Sequence, residues 1–73
     1  MSFSATGVIE YQDIGSGVWA LVTEDGVTYE LKDLPPVLQS SQLQVQIEGE
    51  IREDIMTLAM IGPVLEVQSF EIL

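Results

Sequence analysis

The chain predicts an all-β domain, a small five-stranded OB-like barrel with one short helical turn between its third and fourth strands. Three observations carry this. Val18 to Leu31 reads as a β-hairpin, Gln42 to Ile51 alternates strictly between apolar and polar residues, and a proline-containing connection separates the two. Three meandering strands, a helical turn and two further strands is the order of an OB barrel, and an SH3-like barrel is the alternative because the helix is so short. Seventy-three residues make one domain, spanning 1–73.

The first strand is expected over Phe3 to Tyr11, with Gly7 at a bend or bulge. Gln12 to Gly17 is a loop of turn residues, in which Ser16 has no phosphate-loop lysine after it. In the hairpin, a three-residue Glu24-Asp25-Gly26 loop pairs Thr23 with Val27, Leu21 with Tyr29 and Trp19 with Leu31. A two-residue loop would pair Leu21 with Glu30 and scatter the apolar side chains over both faces. Burial therefore selects the longer loop, with Gly26 at positive φ. Trp19, Leu21, Tyr29 and Leu31 become one wall of the core, and Ala20, Val22, Thr28 and Glu30 lie on the other face.

The two prolines of Asp33 to Gln39 end the third strand, because neither can donate to a ladder. A proline near its first position suits one or two helical turns, and Leu34, Val37 and Leu38 have the spacing to plug one end of a barrel. From Gln42 to Ile51, Leu43, Val45, Ile47, Gly49 and Ile51 share one face, and the first three of these are core residues. The opposite face carries three glutamines and two glutamates. Arg52-Glu53-Asp54 makes a turn, Ile55 to Ile61 a further strand, Gly62-Pro63 a break, and Val64 to Leu73 an extended apolar segment.

The string G-V-W-A-L-V-T-E-D-G-V-T-Y-E-L-K-D-L-P, then V-Q-I-E-G-E-I-R-E-D and I-G-P-V-L-E-V, resembles a group of small bacterial OB-like domains. The matching positions are Trp19, Asp25, Gly26, Tyr29, Leu34, Pro35, Gly49, Gly62 and Glu66, across Gly17 to Val67. The closing segment departs from the group's G-x-P-x-E by reading G-P-V-L-E. The resemblance implies the fold and no particular activity.

Composition narrows the function. Twelve acidic residues face two basic ones, with no histidine and no cysteine, for a formal charge of −10. Catalysis is not expected: there is no group for proton exchange near neutrality and no thiolate. No catalytic residue, cofactor or metal ligand is assigned. OB barrels often bind single-stranded nucleic acid through aromatics on the second and third strands, where Trp19 and Tyr29 lie. Only Lys32 and Arg52 would neutralise phosphates, a salt slope no steeper than about −1.4. Nucleic acid is thus an alternative, not the expectation. Glu48, Glu50, Glu53 and Asp54 form an acidic face that offers a second alternative, a metal ion or cationic peptide, although their spacing matches no calcium loop. No run reaches the 18 apolar residues of a membrane span, the first residues lack the pattern of a signal peptide, and anionic lipid would repel the chain. A cytoplasmic location is the simplest expectation.

The apolar content is 47%, high for so acidic a chain. Ile55, Thr57, Ala59 and Ile61 make an apolar face where a barrel strand should be polar, and Phe70, Ile72 and Leu73 add to it. Self-association through Ile55, Thr57, Ala59, Ile61, Phe70 and Ile72 is expected, making the domain a non-catalytic protein–protein interaction or structural module, a homo-oligomer or bound to another protein.

Overall fold

The computed structural model describes residues 3–15, 17–55 and 61–73. They form β1 (Phe3–Gln12), β2 (Val18–Thr23), β3 (Thr28–Lys32), β4 (Gln44–Arg52) and β5 (Val64–Ile72), with one 3-10 turn, Pro36–Leu38, between β3 and β4. The sheet closes in the order β1-β2-β3-β5-β4 and back to β1, with β3 and β5 parallel and every other pair antiparallel. It is the OB-like of the two expected arrangements.

β1 holds the barrel together by pairing on both sides. Its first half, Phe3 to Val8, meets β4, and its second half, Gly7 to Gln12, meets β2. Gly7 belongs to both ladders, opposite Thr23 and Val45. Both registers run through it without a shift, so of the expected bend or bulge the bulge is absent. A Cβ there would overlap the Val22 carbonyl oxygen, so glycine is required for close backbone approach.

The hairpin has the expected three-residue loop. Leu21 pairs with Tyr29, the Thr23 N–H donates to the Val27 carbonyl at 2.9 Å, and Gly26 takes φ 86°. The Thr23 hydroxyl bonds the Asp25 carboxylate, tying the tip to the strand. The outward face of this hairpin is less open than its parity suggests. Ala20 is fully buried and Glu30 only 7% exposed, in a cross-strand row that runs Glu10, Ala20, Glu30, Val64.

Ile9, Leu21, Leu31, Leu34, Leu38, Val45, Ile47 and Leu65 form the core. Each such side chain adds about 1.5–3 kcal/mol on full burial. Trp19, Tyr29 and Leu43 were expected inside it and instead sit half-buried against its margin. Tyr11 meets Trp19 edge-on at 5.0 Å, and Phe3 meets Tyr29 at 5.2 Å. The two pairs thus lie at opposite ends of β1. Leu34 and Leu38 plug the barrel as expected, but Val37 is 61% exposed. Consecutive residues of a 3-10 turn point about 120° apart, so one turn cannot turn both Val37 and Leu38 inward.

The strand expected over Ile55 to Ile61 falls mostly on residues 56–60, outside the described residues, and β5 begins at Val64, after the Gly62-Pro63 pair. Ile55 and Ile61 are half-buried and outside any strand, and Thr57 and Ala59 lie outside the described residues.

Candidate functional site

The feature that could meet a partner is the second half of β5. Opposite β4, the register slips by one between Glu48–Ser69 and Gly49–Val67, leaving Gln68 as an extra residue. The slip reverses the facing of everything after it. Strict alternation from Leu65 would turn Ser69 and Glu71 inward. The bulge instead sets Phe70 opposite Ile47 and Ile72 opposite Val45, on the barrel's inner side.

Those two residues are nevertheless uncovered. β3 flanks β5 only from Val64 to Glu66 and ends at Lys32. Beyond that point the β3-facing edge of β5 has no paired strand among the described residues. Phe70 is 39% exposed, Ile72 46% and Leu73 59%. The Leu73 N–H donates to the Gln44 carbonyl at 3.0 Å, so Leu73 faces β4. Backbone direction alternates along a strand, so Phe70 and Ile72 send their N–H and C=O groups away from β4, into the open edge. An apolar surface and free ladder groups therefore coincide on the same residues. Of the six residues expected to self-associate, Phe70 and Ile72 lie together on one edge, and Thr57 and Ala59 lie outside the described residues.

The sequence reading found these residues and missed what positions them. The signal was Gly49, a glycine inside a strand, which marks close backbone approach or a bulge. A Cβ at Gly49 would overlap the Glu66 carbonyl oxygen, so the turn of chain that re-aims Phe70 requires glycine opposite it.

Both cations of the chain converge on one carboxylate. Lys32 Nζ lies 3.3 Å from Glu66 Oε2 and 2.9 Å from Asp33, and Arg52 Nη1 lies 3.2 Å from Glu66 Oε1. Arg52 also grips Asp54 with two nitrogens, at 2.8 and 3.0 Å. Glu66 stands directly opposite Glu50 on β4, a like-charge pair that these cations offset. Lys32 and Arg52 are thus paired with the chain's own carboxylates at the barrel surface. Trp19 and Tyr29 belong to separate ring pairs and form no common stacking surface. Among the described residues no three acidic groups are placed to hold a metal ion, and no helix is long and apolar enough to cross a membrane.

Hydrogen bonds from Arg52 lower the Asp54 pKa below the ordinary aspartate range, and Asp33 and Glu66 raise that of Lys32. A carboxyl depressed in the folded state contributes stability above its unfolded pKa, about 3.9, and loses it as pH falls through the folded value. A carbon-detected NMR titration should place the Asp54 midpoint below the ordinary aspartate range. In Arg52→Gln it should return to the ordinary range; an unchanged midpoint would remove the Arg52 grip as the cause. In comparisons with known proteins, the chain matches no family model, no curated protein and no solved structure.

Proposed function

We propose that this domain is a non-catalytic protein–protein interaction module that self-associates through the open edge of β5. The observation that carries the reading is the coincidence, at Phe70 and Ile72, of exposed apolar side chains with ladder groups that no described strand takes up. An exposed, apolar edge is a template for strand pairing. A chain without histidine or cysteine, whose two cations are bound to its own carboxylates, supports a binding role over catalysis or phosphate recognition.

Two copies of the edge are self-complementary about a two-fold axis. The antiparallel register that uses both open residues sets Phe70 against the partner's Ile72, and Ile72 against the partner's Phe70. It also sets the two Glu71 side chains opposite each other, and like charges there oppose the pairing. Sedimentation velocity at micromolar concentration tests this. The wild type should associate more tightly as sodium chloride rises, and Glu71→Gln should tighten it by about fivefold, roughly 1 kcal/mol. Ile72→Pro should abolish it, since proline removes an edge N–H without touching the β4 ladder. A strict monomer at both low and high salt would rule the reading out.

A further inference from the structure

We propose that the cleft between the first half of β1 and the β2–β3 turn takes an extended cationic peptide segment as an added strand. The site is separate from β5 and does not require self-association.

Three features meet there and point to one chemistry. The first is a sheet edge. β2 pairs with β1 only from Gly7 onward, so Phe3 to Thr6 have β4 on one side and no described strand on the other. Ile9 donates its N–H to Leu43 at 2.9 Å and accepts from Gln42 at 2.7 Å, so Ile9 faces the β4 side. By alternation Gly7 and Ala5 face β4 as well, and Ser4 and Thr6 direct their N–H and C=O groups into the cleft. The opening has room for a strand, with a volume of about 690 Å³.

The second feature is its aromatic lining. Phe3 and Tyr29, in contact with each other, both border the cleft. Ring faces of this kind accept the stem of a lysine or arginine and attract its charged head. The third is the rim. Glu24 and Asp25, both exposed at the turn, stand on the side opposite the β1 edge. The tie from Thr23 holds the Asp25 carboxylate in place.

Charge decides which extended chain fits. This protein has ten excess negative charges, and both of its own cations are engaged on Glu66. Neither of these side chains supplies positive charge to the rim. A second copy of this acidic chain would bring repulsion to Glu24 and Asp25. A basic strand would bring attraction, and its main chain would satisfy Ser4 and Thr6. Ladder bonds would supply affinity in any sequence, and the rim would select lysine or arginine at alternate positions.

Two capped hexapeptides of equal charge test the proposal, one alternating lysine with threonine (the threonine peptide) and one of the same sequence with every backbone nitrogen methylated. Both are titrated into the nitrogen-15-labelled wild-type protein. The threonine peptide should shift the amides of Ser4, Thr6, Glu24 and Asp25 and slow hydrogen exchange at Ser4 and Thr6. The methylated peptide, which has no N–H to donate along either edge, should bind at least about fivefold more weakly. The Glu24→Gln, Asp25→Asn double variant should weaken the threonine peptide by a similar factor while keeping the wild-type amide spectrum elsewhere. Equal binding of the two peptides would overturn the proposal. So would shifts concentrated at Phe70 and Ile72, shifts spread over Glu48, Glu50 and Glu53, or no binding at millimolar peptide.

Discussion

Replacing Gly49 with alanine should lower the melting midpoint by about 15 °C, the largest effect expected from a single methyl group in this chain. The added Cβ has nowhere to go. It would overlap the carbonyl oxygen of Glu66, and the Gln68 nitrogen lies 3.4 Å away on the same side. Both are backbone atoms of the β5 bulge, so no rotamer change relieves the clash. Separation requires opening the β4–β5 ladder at the point where its register slips. Overpacking of this kind costs about 1–3 kcal/mol. Here it also displaces Glu66 from Lys32 and Arg52, whose pairing would be lost with it. At roughly 4–8 °C per kcal/mol for a small domain, about 3 kcal/mol gives the stated shift. Ser69→Ala, an exposed neighbour on the same strand, should stay within about 0.5 kcal/mol of wild type. A change of less than about 3 °C in Gly49→Ala would mean that the bulge does not constrain the fold.

Sodium chloride should stabilise the domain strongly. Ten net negative charges form about 45 mutual pairs within a body 30 × 27 × 25 Å across. Unscreened charges about 20 Å apart in water repel by about 0.2 kcal/mol per pair. The unfolded chain spreads the same charges farther apart, so part of that repulsion opposes folding. The Debye length falls from about 30 Å at 0.01 M to 3 Å at 1 M, which removes most of it. A gain of about 2 kcal/mol, or roughly 10 °C in melting midpoint, is expected over that range. Calorimetry at dilute protein, where self-association contributes little, measures it. A midpoint that stays flat or falls would show that local pairing already neutralises the surface.

The hairpin was the most legible part of the chain, for a physical reason. Its loop residues allow two registers, and its burial pattern selects the one that sets Leu21 opposite Tyr29. The same holds for Val45 and Ile47, where strict alternation left one choice of face. Trp19 and Tyr29 were placed too deep because periodicity gives the direction of a side chain and not how far along the barrel its neighbours extend. Val37 was misplaced because three apolar residues in five do not reveal which of them a single 3-10 turn can bury. The edge at Phe70 and Ile72 was legible only as apolar composition. Its exposure depends on where β3 stops and on an extra residue in β5, and both follow from pairing between distant segments. The convergence of Lys32 and Arg52 on Glu66 likewise needs three strands to be assembled before it exists.

Amide hydrogen exchange at Phe70 and Ile72 reads the open edge of β5 directly. In dilute, low-salt solution these two amides should exchange close to the unprotected rate, while those of Val45 and Ile47 report the barrel's own stability. At high protein concentration in 1 M salt, the Phe70 and Ile72 amides should become protected by about 100-fold or more as copies pair. Protection that is already full in the dilute monomer, or absent at every concentration, would contradict the account.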